Sequence, residues 1–323
     1  MATAENAKLQ YEAGQTSYAM SALTNSGDET TFTSSATLWS GKSGFAPIIR
    51  PNGVLTGGAV TTHATNDTVT VAALTCNLQG VVTSVNAGTA TISRGVTTDI
   101  CRITSITINS SGAIAAVAGA DHTAFSATRG ADGGPPLIPV DSIEIAQVRV
   151  GSVTAAAVAS SEIFQVVGTH LERADFPLWD VDYGAGSVTF LDALPEIHTG
   201  PVCKKVYASY ASPIFADVAL ASDFVPPETS HSVSSTQVYG TTLGATSSTL
   251  GQGSFTAYLN TGVSDALVIL KNATLWFKFF PDRYASPYIL CQGKLGISRT
   301  FPAGDSLQAA CTISASEAAS EVY

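Results

Sequence analysis

The segment from Ser264 to Tyr323 constrains the fold of this chain more than any other. Ser264–Ala273 (SDALVILKNA) has an apolar face of Ala266, Leu267, Ile269 and Leu270, with Ser264 or Asp265 as N-cap candidates, and reads as a short helix. It runs directly into an aromatic strand, Thr274–Phe280 (TLWFKFF), which is stopped by Pro281-Asp282. Two further strands are expected at Ile289–Ser298 and Leu307–Ser314, separated by a turn at Gly304-Asp305.

Upstream, short strands and turn signals alternate. Asp67–Val71 places Val69 and Val71 on one face and Thr68 and Thr70 on the other. Val81–Val85 and Thr89–Ser93 flank Asn86-Ala87-Gly88 and read as a hairpin. Ile103–Ile108 and Ala113–Val117 flank Asn109-Ser110-Ser111-Gly112 and read as a second one. Asp141–Val150 alternates Ile143, Ile145, Gln147 and Arg149 against Glu144, Ala146, Val148 and Val150. Residues 45–167 therefore form a β module whose spacing suits a sandwich or small barrel, and the hairpins share no repeat period.

The flanks are also β-rich. Ala4–Glu12 is a polar helix candidate, and TTFTSSATLWS (30–40) reads as strand. Val202–Ser209 is another alternating strand. His231–Gly240 and Gly253–Leu259 are extended, joined by a polar segment expected to be a protruding, mobile loop. Its residues are Thr241, Thr242, Leu243, Gly244, Ala245, Thr246, Ser247, Ser248, Thr249, Leu250, Gly251 and Gln252.

Charged residues make up 12% of the 323 positions and hydrophobic ones 45%, yet no apolar run approaches the ~18 residues of a membrane span. The run Ala266–Leu270 is ended by Lys271 and Asn272, and no membrane insertion is expected. Sparse charge and abundant small residues suit surfaces covered by neighbouring copies. The formal charge of −10 argues against tight nucleic-acid binding and fits DNA that passes without sticking. MATAEN offers neither a basic nor an apolar leader region, so no signal peptide is expected. Cys76, Cys101, Cys203, Cys291 and Cys311 are widely spaced, which matches neither a zinc framework nor a disulfide scaffold. They read as small buried hydrophobes, with a Cys76–Cys101 bridge left open.

Catalytic signatures are missing. His63, His122, His170, His198 and His231 are isolated and read as surface or packing residues. Gly41-Lys42-Ser43 ends like a P-loop, but Ala36 and Thr37 occupy the glycine-rich start, so it reads as a turn. Asp180-Val181-Asp182-Tyr183-Gly184 shares letters with a calcium loop but lacks the downstream acidic ligands. Asp175, Asp180, Asp182, Asp192 and Glu196 are close in sequence, and proximity alone does not make a catalytic pair. No catalytic residue, cofactor or metal is expected, and the chain reads as a non-enzyme.

The helix 264–273, the strand 274–280, the turn and the closing strands resemble the C-terminal end of bacteriophage tail tube (major tail) proteins. The resemblance covers most of 168–323 plus the first 40 residues, and it is one of elements and turns. It implies a mainly β fold: a β-sandwich or barrel with one flanking helix, a long inter-strand loop (241–252), expected to act as the assembly loop held against the adjacent ring by backbone hydrogen bonds, and an N-terminal arm before Phe32. The domains would then be 1–44 (arm and first strand), 45–167 (additional small β domain) and 168–323 (tube-like domain). Implied too is a structural virion protein that stacks in rings, hexameric in this family, around a conduit for DNA during ejection. Its partners would be further copies of itself, the initiator or baseplate, the terminator and the tape measure, with DNA only in transit. It would be assembled in the host cytoplasm and reside in the virion tail. A module at 45–167 that projects outward would occupy sheath space, which favours a non-contractile tail. The other readings are a capsid decoration, fibre or baseplate protein and a carbohydrate-binding adhesive module.

Overall fold

The computed structural model describes residues 4–323, so the first three residues of the expected arm lie outside the described residues. The fold is mainly β, with one four-residue α-helix among the described residues. The chain forms two compact units: 1–17, 38–46 and 210–323 make the first, 18–37 and 47–209 the second. This division differs from the expected one, because 18–37 and 168–209 group with the module at 47–167.

In the first unit a sheet runs in the order Ala221–Val225, Gly253–Tyr258, Gln308–Ser314, Tyr288–Thr300, Thr274–Phe280 and the 8–17 portion of Lys8–Ala22. Strict alternation builds it: Ala309, Cys311 and Ile313 are buried along Gln308–Ser314 while their neighbours are exposed. Phe277 pairs with Cys291 on one side and Tyr11 on the other. Leu275, Phe277, Leu295, Ile313 and Phe255 form the core with Leu267 of the helix. Burying each such large side chain contributes about 1.5–3 kcal/mol. On the opposite face of the aromatic strand Trp276 is also buried. Its indole Nε1 donates to the Trp39 carbonyl at 2.8 Å, and its backbone N–H donates to Glu12 Oε2 at 3.1 Å.

The expected helix shortens to Ala266–Ile269, followed by tight turns to Ala273. Asp265 holds the entry: its carboxylate accepts from the N–H groups of Asn260, Thr261 and Gly262, which keeps it below the usual carboxylate range. The strands expected at 274–280, 289–298 and 307–314 are present as Thr274–Phe280, Tyr288–Thr300 and Gln308–Ser314. The helix expected at Ala4–Glu12 is replaced by a single 3-10 turn at Ala4–Asn6 and the fifteen-residue strand Lys8–Ala22. Pairing with Thr274–Phe280 buries Leu9 and Tyr11, and tertiary pairing outweighs a local helix preference there.

The second unit is made of small sheets around one apolar core that includes Val69, Val71, Cys76, Ile106, Ile145 and Val148. Arg102–Ile108 is its central strand, flanked by Ile114–Ala118 and Ile143–Val150. The hairpin through Asn109–Gly112 forms as expected, with Asn109 Oδ1 accepting from the N–H groups of Ser111 and Ala113 at 3.0 Å each. The expected pairing of 81–85 with 89–93 does not form. Val81–Val85 pairs with Leu74–Leu78 instead, and Gly88–Thr91 pairs with Thr68–Val71 in another sheet. The deciding turn is Gln79-Gly80, with φ of 52° and 76°, the positive pair that a two-residue hairpin turn needs. The strand expected at Val202–Ser209 begins at Val206 and runs to Asp217, and the one expected over 30–40 contracts to Thr31–Thr33. All five cysteines are free and buried, so Cys76 and Cys101 are not bridged. No described helix is long and apolar enough to cross a membrane.

Candidate functional site

The segment singled out as an assembly loop is not a loop. Residues 241–250 form the strand Thr241–Leu250, paired along its whole length with Thr229–Val238. The connection is the short turn Tyr239-Gly240, where Gly240 sits at φ 86°. Thr, Ser and Val tolerate extended backbone well, and a ladder asks nothing of side chains, so a loop-like composition hid a strand. Gly251 and Gln252 anchor its base: the Gly251 N–H donates to the Glu228 carbonyl at 2.9 Å, and Gln252 Nε2 donates to Ser314 Oγ at 3.2 Å.

This hairpin joins no other sheet among the described residues. Apart from half-buried Leu250 at its base, its described side chains are exposed, with Val233 78% accessible. A two-stranded ribbon without a buried face is marginal in water, and both its edges carry unpaired backbone donors and acceptors. Its own side chains add little; Ser232 and Ser247 share a hydroxyl hydrogen bond of 2.7 Å across the ladder.

The Gly41-Lys42-Ser43 segment is a turn, and the network around Glu12 explains its position. Glu12 is fully buried and accepts from Ser40 Oγ as well as from the Trp276 N–H. Trp39 stacks on Tyr210 with ring centroids 5.0 Å apart. A Cβ at Gly41 would lie 2.4 Å from the Gln292 amide, the mobile end of a long side chain that would have to move aside.

A second feature lies wholly in the second unit: a cavity of about 590 Å³ beside a buried cluster of charges. Glu144, on Ile143–Val150, accepts from Arg129 Nη2 at 2.5 Å, from Gln147 Nε2 at 3.2 Å and from Ser105 Oγ. Glu172 pairs with the backbone of Glu144 twice: its N–H donates to the Glu144 carbonyl at 2.9 Å, and its Oε2 accepts the Glu144 N–H at 2.7 Å. Burial pushes both carboxyl groups above their ordinary range, opposed for Glu144 chiefly by Arg129 and for Glu172 by His198 and Lys204. Lys204 donates to the carbonyls of Arg173 and Phe176 at 2.7 and 2.8 Å, and burial lowers it to about 8. Arg149 Nη2 lies 3.0 Å from His170 Nε2, and its guanidinium covers the Phe164 ring at 4.3 Å. Arginine can only donate, so His170 is the neutral imidazole with Nε2 accepting. Burial, then Arg149 and Arg129, lower its pKa.

The acidic residues noted in the sequence do not converge. Asp175 forms a two-point pair with Arg173 at 2.7 Å for each contact. Asp182 Oδ1 accepts from Gly184 and Ala185 N–H and shapes a turn, while Asp180 accepts from the N–H of Val181. Asp192 and Glu196 line the cavity. The functional candidates missed by sequence reasoning are Glu144 and Glu172, which carry no motif, and Arg149 and Lys204. Their one legible signal was a charge inside an otherwise apolar strand, as at Glu144. His170 and His198, read as isolated, are both buried beside this cluster, and His198 Nε2 lies 3.0 Å from the Ser142 carbonyl.

No protein-family model matches this chain, and the comparison with curated proteins returned no match.

Proposed function

We propose that this protein is a self-assembling structural subunit of the phage tail tube class. The observation that carries the reading is the ribbon Thr229–Leu250, a ten-pair ladder with its described side chains exposed except half-buried Leu250. Ordering it against a neighbouring copy would satisfy its edges through backbone pairing, which converts an edge-strand liability into an assembly device. The sheet of the first unit, with its helix Ala266–Ile269, supplies the rigid element that the ribbon extends from. The net charge of −10 fits a conduit through which DNA passes without adhering. In this reading the chain works in the virion tail after assembly in the host cytoplasm. Its partners are its own copies and the other tail components, and it performs no catalysis.

Negative-stain microscopy of the purified full chain tests this directly. Hollow tubes of uniform width are the expected result; discrete trimers would favour a decoration or fibre protein, and a persistent monomer at high concentration would overturn the assembly reading.

A further inference from the structure

We infer that the cavity of the second unit is a binding site for a neutral saccharide ring. The inference is independent of tube formation. At about 590 Å³ the cavity falls within the ~300–1,000 Å³ range of small-ligand pockets. The buried ion network accounts for Glu144, Arg129 and Lys204, whose polar atoms are occupied by protein partners. Among the buried groups that line the cavity it leaves two over. Arg149 Nε is buried without a hydrogen-bond partner, and among the described residues no hydrogen bond reaches Oε1 of Glu172, although both residues line the cavity. An unused acceptor in a partly desolvated cavity costs stability unless a ligand or water completes it.

The charge distribution selects the ligand class. An anion entering here would face Glu144, Glu172, Asp192 and Glu196, and a cation would face Arg129, Arg149, Arg173 and Lys204. A neutral molecule with hydroxyl groups meets neither penalty. One hydroxyl can donate to the Glu172 carboxylate, and another can accept from the Arg149 guanidinium. The rest of the wall sets polar Gln147, Thr169 and His170 among apolar side chains, one of them the half-exposed ring of Phe176, a surface that the C–H face of a sugar ring covers well.

Saturation-transfer NMR on the full chain tests the site, with glucose, galactose, mannose and N-acetylglucosamine as probes and glucuronate and glucosamine as charged controls. We expect at least one neutral sugar to bind saturably with a millimolar Kd and the charged forms to bind more weakly. Ala193 and Thr169 are exposed at the cavity and outside the ion network. Ala193→Trp, or Thr169→Trp should the first fail to fold, fills the cavity and should weaken binding at least about tenfold with the melting temperature unchanged. Glu172→Gln keeps an acceptor toward Glu144 N–H and should weaken binding by a similar factor, since a hydrogen bond to a charged group is worth about 1.5–3 kcal/mol. No saturable binding by any neutral probe up to about 50 mM would overturn the inference, that concentration lying beyond the affinity of a weak specific site. So would binding indifferent to both filling variants, or charged sugars binding as tightly as neutral ones.

Discussion

Two antiparallel ladders of the first unit invite comparison. Thr229–Val238 with Thr241–Leu250, and Tyr288–Thr300 with Gln308–Ser314, are both long and regularly paired. The second buries Leu295, Ile297, Cys311 and Ile313 in a core, whereas none of the ribbon's described side chains is buried. Backbone hydrogen bonds are equally complete in both. What separates them is apolar area removed from water, because exchanging water for protein partners leaves a net gain of only about 0.5–1.5 kcal/mol per bond. A two-stranded ribbon of that kind is marginal unless something else covers it, and that is the physical basis for proposing it as an assembly element.

Removing the ribbon is the sharpest way to break the comparison. Replacing residues 229–250 by a short turn should abolish tubes in negative-stain images while shifting the unfolding free energy of the subunit by less than about 1 kcal/mol, since surface segments cost little closure entropy. Normal tubes from this variant would remove the ribbon from the assembly reading. Within the buried ladder's sheet, Phe277→Ala should destabilise the subunit by about 3–5 kcal/mol in chemical denaturation, as large-to-small core changes do.

The charged interior of the second unit should titrate unlike either ladder. Lys204 falls from an ordinary 10.5 to about 8 in the folded state, so between those values the unfolded chain binds the extra proton. Its contribution to stability is therefore present above about 10.5 and is lost as pH falls through about 8. The wild type should gain on the order of 3 kcal/mol relative to Lys204→Met between pH 8 and 10.5, read from paired denaturation curves. The carboxyl groups of Glu144 and Glu172 act in the opposite sense. Raised in the folded state, they contribute stability that is complete below about 4.5 and lost as pH rises above it. The smallest effect belongs to the ribbon itself: Val233→Ala, at an exposed position, should change subunit stability by no more than about 0.5 kcal/mol.

The parts of the fold legible in the sequence are those where a local signal carries the answer. Thr274–Phe280 announces itself by aromatic and β-branched content ended by a proline, and the Asn109–Gly112 turn by side-chain chemistry that acts within four residues. Pairing is another matter. Asn86-Ala87-Gly88 has hairpin composition, yet the strands around it join different sheets, because Gln79-Gly80 closes the tighter turn and Thr68–Val71 offers Gly88–Thr91 a buried neighbour. Lys8–Ala22 has the local look of a helix at its start and becomes a strand only because Phe277 and Phe279 await it.

By itself the sequence determined a mainly β chain, the strands that close its C-terminal sheet, the burial of its cysteines and the exposure of a Ser- and Thr-rich segment. Each follows from composition or from period-two patterning, which act over a few residues. Only the tertiary structure decided that the polar segment is a paired strand and which strands are partners. It alone brought Glu144, Glu172, Arg149 and Lys204, from three separated stretches of chain, to one cavity. Register and charge clustering are set by the total burial and desolvation of distant residues, and no local window contains that sum.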